Sequence, residues 1–406
     1  MHPADRAGAR ESGTALEVLG AFLRLGLTSF GGPVAHLGYY REEFVRRRRW
    51  VDEQTYADIV ALCQFLPGPA STQISITLGT ARAGLLGGLA AWCGFTLPSA
   101  MAMAAFALSL GTLGGLESGW LHGLKVVAVA VVAQAIWGMS TRLCPDRARA
   151  SLALGAAVLL LAWPSALAQL AAIAIGGLFG WLLLPGAAPV SGPPLRVGVP
   201  RGVAVACWIL FVGMLVGLPL LQTVADSPPL AMFASFFRSG SLVFGGGHVV
   251  LPLLQAAVVP PGWVSPAQFT AGYGAAQAMP GPLFTFAAFL GAVSAAPPGG
   301  WAGAALALVA IFLPSFLLVW GSLPFWDAVR SRSDAQAALR GVNAAVVGIL
   351  VAALYTPVFT SAISGPLDVA LALAAFALLQ IWAAPPWLVV ALCALAGFLT
   401  DLYISG

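Results

Sequence analysis

Four basic side chains stand where a membrane chain should carry none. Arg24, Lys125, Arg238 and Arg340 fall inside long apolar stretches, and they form two pairs at matching spacing, 24 with 238 and 125 with 340. A charge deep in a bilayer is costly and marks a ligand or ion path. Carboxylates show no such pattern: Glu17, Asp58, Asp327 and Asp368 lie near the expected ends of apolar stretches, and none sits at the centre of a clear apolar run. Cations without acidic partners call for an anion as counter-ion. For Lys125 and Arg340 the competing reading is snorkelling to the headgroups. Gln64, Gln277, Ser71, Thr72, Thr285 and Asn343 add neutral hydrogen-bonding groups for an oxyanion or for freed backbone.

Two apolar stretches also break their own helices. QFLPGPAST (64–72) and QAMPGPLFT (277–285) share Gln, Pro, Gly, Pro and Thr, placing Pro67, Gly68 and Pro69 opposite Pro280, Gly281 and Pro282. Non-helical backbone is tolerated at membrane depth only inside protein or beside a water-filled cavity. A helix restarting at Ala70 leaves the amides of Ala70, Ser71 and Thr72 unbonded, and such a start binds anions. FGGP (30–33), with Gly31 and Gly32, and FGGG (244–247), with Gly245 and Gly246, supply two more starts. One isolated PGP would read as a packing kink. Two copies at equal offset favour a site.

The remaining candidates are weaker. His36 and His248 flank the breaks but do not align with each other, so each reads as a packing residue, with a pathway or coupling role as the alternative. Asp58 is the best candidate for proton coupling, against an ordinary carboxylate at the start of a helical arm. His122 follows Trp120 at a span end and reads as interfacial. Cys63, Cys93, Cys144, Cys207 and Cys393 are scattered singly, without metal-ligand spacing. No metal or other cofactor is expected. GxSxG, HExxH and paired intramembrane carboxylates are absent, which argues against an enzyme. A net charge of +4 on so apolar a chain does not suit nucleic acid.

The elements that must position these residues follow from composition and repetition. The chain has 406 residues, 59% hydrophobic and 8% charged, with apolar runs from end to end. That is an all-α polytopic membrane protein. FLRLGLTSFGG (22–32) matches FFRSGSLVFGG (236–246); the PGP motifs, TLPS (96–99) with FLPS (312–315), and GLKVVAVAVV (123–132) with ALRGVNAAVV (338–347) follow in the same order. The chain is therefore a duplicated unit. Residues 1–184 form the first repeat, 185–229 a Pro/Gly-rich linker with one connecting span, and 230–406 the second repeat.

Lys and Arg outside apolar stretches cluster at the N-terminus and around 41–49, 82, 142–149, 196–201 and 330–332. These clusters fall on one face if the FGG and PGP regions are re-entrant hairpins. Spans are then expected near 84–110, 120–142, 150–163, 166–184, 203–224, 301–322, 338–359, 367–383 and 386–404. The odd span near 203–224 inverts the second repeat, leaving the N-terminus cytoplasmic and the C-terminus outside. The first residues show no signal-peptide pattern.

FGGPVAHLGYYREEFVRRRRWVDEQTYADIVALCQFLPGPASTQ with WCGFTLPSA, and SLVFGGGHVVLPLL with QAMPGPLFTFAAFLG, resemble the two signatures of the chromate ion transporter family. The resemblance covers nearly the whole chain, as in long-chain two-domain members. It implies outward transport of chromate across the cytoplasmic membrane, conferring chromate resistance and driven by the proton-motive force; some members are associated with sulfate. By motif match the family's important positions fall on Arg24, Gly31, Gly32, His36, Arg41, Gln64, Pro67, Gly68, Pro69 and Ser71. In the second repeat they fall on Arg238, Gly245, Gly246, Gln277, Pro280, Gly281 and Pro282. The basic run around Arg41 has no copy there, where PPGW stands instead. The expected partners are the bilayer and a tetrahedral oxyanion, chromate first, with a sulfate or other divalent oxyanion transporter as the alternative reading and a homodimer left open.

Overall fold

A computed structural model describes residues 13–30, 32–110, 119–184, 197–244, 249–326 and 332–405. Gly31, Gly245, Gly246, His248 and Asp327 lie outside them. Among the described residues all regular structure is helical, with no strand.

The first repeat opens with half-length helices, α1 (Ala15–Thr28), α2 (Gly32–Tyr40) and α3 (Glu53–Phe65). At 14 residues α1 reaches about 21 Å, well short of a hydrocarbon core of about 30 Å. Longer elements follow: α4 (Ala70–Ser109), α5 (Gly119–Leu143), α6 (Arg147–Ala162) and α7 (Ala166–Leu183). α4 is two helices across a kink at Ala83 and Gly84, where Gly84 takes φ +65°. α8 (Arg201–Val224) then connects to the second repeat.

The second repeat runs α9 (Pro228–Ser241), α10 (Val250–Val258), α11 (Pro266–Ala278), a 3₁₀ turn (Leu283–Thr285) and α12 (Phe286–Val293). It continues through α13 (Gly300–Ser322), α14 (Ser333–Ala353), α15 (Pro366–Gln380) and α16 (Pro386–Ser405). Among the described residues, five helical stretches, 70–109, 119–143, 201–224, 300–325 and 336–362, are long and apolar enough to cross a membrane. This is an all-α polytopic membrane protein.

Local chemistry fixes these boundaries. The Asp52 carboxylate accepts from the Thr55 amide and starts α3. At the matching place Ser265 and Gln268 form a reciprocal capping box that starts α11. The repeats then exchange partners: α5 packs against α15 and α16, and α14 packs against α6 and α7. Glycine makes both crossings close. Gly123 meets the Cys393–Ala394 backbone of α16, and Gly341 meets the Gly176–Gly180 backbone of α7.

Ahead of α3 the basic run folds as a π-helical turn, Arg41–Arg47. Glu43 is buried there, with Arg47 at 2.9 Å and Arg48 at 2.6 Å. Burial alone would raise its pKa; hydrogen bonds and charge from Arg48, then Arg47, outweigh that and hold the carboxyl below its ordinary value. Arg82, beside the kink of α4, ties back to α1 through both oxygens of Glu17 at 3.1 to 3.3 Å.

Replacing Gly341 by Leu should force α14 off α7 and cost about 3 kcal/mol or more. Gly155, which has open space around it, should accept Leu with little effect. Thermal unfolding of the two variants in detergent checks the contrast: a large fall in midpoint for Gly341→Leu beside a near-normal Gly155→Leu.

Candidate functional site

The site grows from the two PGP turns. Leu66 ends α3 in extended geometry, and Gly68 follows at φ +126°; Gly281 takes φ +86° in the second turn. Each glycine amide donates across the repeats. Gly68 N–H donates to the Val243 carbonyl at 2.6 Å, and Gly281 N–H donates to the Ser29 carbonyl at 2.9 Å. Val243 and Ser29 occupy the same place in their repeats, just after α9 and α1. Each turn is thus anchored on the opposite repeat's helix break.

A second contact repeats the pattern. A methyl group on Gly68 would lie 3.2 Å from Ser315 Oγ of α13, and one on Gly281 would lie 3.0 Å from Ser99 Oγ of α4. Ser315 and Ser99 are the serines of FLPS and TLPS, beside Pro314 and Pro98 within their helices. The left-handed φ and these neighbours together require glycine at both turns.

Beyond the first turn α4 restarts at Ala70, with Pro69 as its cap residue and no side-chain cap bond. The first backbone bond after the turn runs from Gln73 N–H to the Pro69 carbonyl at 3.0 Å. The amides of Ala70, Ser71 and Thr72 therefore have no helical acceptor. The Gln73 side chain turns back, its Nε2 donating to the Pro67 carbonyl at 2.7 Å. In the second turn Thr285 Oγ1 donates to the Pro282 carbonyl at 2.8 Å.

Unpaired polar atoms gather in this region. Ser29 Oγ, Thr72 Oγ1, Thr96 Oγ1, Ser315 Oγ, Gln73 Oε1, Gln277 Nε2 and His36 Nδ1 are buried without a hydrogen-bond partner. Four of these are hydroxyls that can donate. Buried carboxylates among the described residues are Asp58 and Glu43, the latter inside the arginine cluster. Native interiors satisfy almost all such atoms, so a concentration of them needs an explanation.

The other expected residues fall in distinct places. Arg24 and Arg238 are exposed, with no ion pair among the described residues. Arg238 stands out on a helix whose neighbours Phe237, Ser239 and Gly240 are buried. Gln64 is exposed on α3, so the glutamine that closes on the first turn is Gln73. His36 is fully buried, with Nε2 at 3.2 Å from the same Ser29 carbonyl that accepts from Gly281, and its ring edge-on to Phe95. Asp58 is buried on α3, and Arg340 and Asn343 are half-buried on α14. Arg41 is at the surface, its Nε 2.6 Å from Glu53.

Lys125 lies one turn from His122, whose Nε2 is 2.7 Å from Asp368. Sequence reasoning did not bring that pair together. It also passed over the hydroxyls of Ser29, Thr96 and Ser315, although the TLPS and FLPS repeat carried the signal for Ser99 and Ser315.

The chain matches the model of the chromate transporter family over residues 16–181 and 230–398. It belongs to that family. It is 33% identical to a chromate transport protein of Pseudomonas aeruginosa, over 82% of this chain and 79% of the relative. A chromate transport protein of Cupriavidus metallidurans is 28% identical, over 82% and 80%. An uncharacterized transporter of Methanocaldococcus jannaschii is 26% identical, over 87% and 88%. No solved structure matches.

Gly68→Ala and Gly281→Ala should each strain a left-handed turn by about 1–2 kcal/mol and push on its serine neighbour. Gly20, open on α1, should accept Ala freely. Unfolding midpoints should fall for the two turn variants and stay unchanged for Gly20→Ala.

Proposed function

We propose that this protein exports chromate from the cytoplasm by alternating access, with the oxyanion held between the two PGP turns and the proton-motive force driving the cycle. The observation that carries the reading is the coincidence, at one pair of cross-anchored turns, of uncapped helix amides and buried hydroxyls without acceptors. A tetrahedral dianion supplies several acceptor oxygens and a charge that a helix start favours. Family membership and the names of the curated relatives support chromate as that dianion.

Gly68, Pro69, Ala70, Ser71 and Thr72 form the first half of the binding surface, with Ser315 against it. Pro280, Gly281, Pro282 and Thr285 form the second half, with Ser99 and Gln277. Arg24 and Arg238, on the helices that lead into the anchoring carbonyls, supply positive potential along the route. Asp58 is the carboxylate best placed to take part in proton coupling.

The two repeats, 1–184 and 230–406, rock around the site, and 185–229 with α8 sets the second repeat inverted to the first. The protein lies in the cytoplasmic membrane. The excess of Arg around 41–49 supports a cytoplasmic N-terminus and an extracytoplasmic C-terminus.

Everted vesicles containing the protein should accumulate labelled chromate when energised. Thr72→Val and Ser315→Ala, which keep volume and remove one donor each, should lower that uptake roughly tenfold, a loss of about 1.4 kcal/mol, without lowering the amount of protein in the membrane. Wild-type rates in both variants would refute the site. Competition by excess sulfate in the same assay reports how far the site separates two anions of like shape and charge.

A further inference from the structure

The two repeats share a sequence pattern but not a packing state. α11 is covered: Phe269 through Ala276 are all buried, and it packs against α5 and α16. Gly274 meets the backbone of Leu124 on α5. Thr270 Oγ1 is 2.6 Å from Ser361 Oγ. The matching helix α3 packs against α4 and the π turn, and its Leu62, Phe65 and Leu66 join a cluster with Leu318 and Trp326; among the described residues it has no comparable packing on α14, the counterpart of α5.

One stripe of α3 is consequently open. Glu53, Ala57 and Gln64 are exposed and Ala61 is half-buried, at spacings of four, four and three residues. Their counterparts Pro266, Thr270, Gly274 and Gln277 lie on the covered face of α11 or at its ends. The stripe runs from Glu53, paired with Arg41 at the surface, to Gln64 beside the turn, and an exposed glutamine at that depth is unsuited to lipid, because polar groups at membrane depth face protein or water. It starts beside the arginine-rich turn, where Val45, Arg46, Arg49, Val51 and Asp52 line an open depression of about 570 Å³.

We infer that the gap between α3 and α14 is a water-filled access route to the first PGP turn, open to the side of Arg41–Arg49, and that the equivalent gap between α11 and α5 is the same route in its closed form. By repeat correspondence Leu339, Arg340 and Asn343 of α14 stand where Leu124, Lys125 and Ala128 stand on α5, the helix whose Leu124 backbone meets Gly274 of α11, and they would line the gap. The two PGP turns are anchored in both repeats at once, so they are the pivots. In the opposite state α3 closes on α14 while α11 leaves α5, opening a route to the other side. The inference rests on the transport reading for its purpose but on packing alone for its geometry.

Ala57→Cys and Thr270→Cys variants test it, labelled in sealed vesicles of either orientation by a membrane-impermeant maleimide. Site-resolved mass spectrometry separates them from the native cysteines. Cys at 57 should label from the Arg41–Arg49 side and Cys at 270 should be protected there. Adding the pair Ala61→Cys and Leu339→Cys and oxidising it should lock the first gap. Labelling at 270 should then rise at least tenfold, from the opposite side only.

Labelling at 57 by a lipid-soluble maleimide alone would show a lipid-facing stripe and overturn the inference. So would labelling at 270 that stays unchanged in the locked protein, or that comes from the same side as 57. Chromate uptake by the unlocked vesicles is read separately. Its absence alongside reciprocal labelling would reject the transport reading and leave the route standing.

Discussion

Two hydrogen bonds organise the centre of this protein. Gly68 reaches across to the Val243 carbonyl and Gly281 reaches across to the Ser29 carbonyl. Each joins a turn in one repeat to a break in the other, so neither repeat completes its own middle. A carbonyl freed where a helix ends would be costly at membrane depth without a donor. The PGP glycines provide that donor, and at φ values open to glycine they bring the backbone close enough to do so. The same turns leave the following helix starts uncapped, which couples the architectural need to a chemical one.

The outer spans repeat this exchange. α5 lies with the last two helices of the second repeat and α14 with the last two of the first. Since lipid tails are as apolar as leucine, close backbone approach rather than hydrophobic burial holds such helices together. Glycines at 123, 341, 176 and 180 make the approach possible. A scaffold tied this way can let its inner arms differ between repeats, and α3 and α11 do differ.

Much of this was legible in the chain. The duplicated motifs, the broken helices at PGP and the long spans are local or periodic features, and the described helices fall close to their expected limits. The family resemblance also holds across both halves. What could not be read was tertiary. Gln64 and Gln73 both neighbour the turn in sequence, and helix rotation decides that Gln73 closes on it while Gln64 faces outward. Ser315 meets Gly68 because a helix some 250 residues away in sequence packs there. His122 and Asp368 are paired by the crossing of α5 and α15, and neither flags the other in sequence. Arg24 and Arg238 were legible as unpaired cations, but their exposure, in contrast to their buried neighbours, is a property of packing.

The central claim is that the cross-anchored turns hold a doubly negative guest. The most direct measurement is an electron density map of the purified protein equilibrated with chromate, compared with one collected without it. The account predicts added density within hydrogen-bonding distance of the Ala70–Thr72 amides and the Ser315 hydroxyl. Density confined to the arginine-rich surface around Arg46 and Arg49, with the interior unchanged, would contradict it.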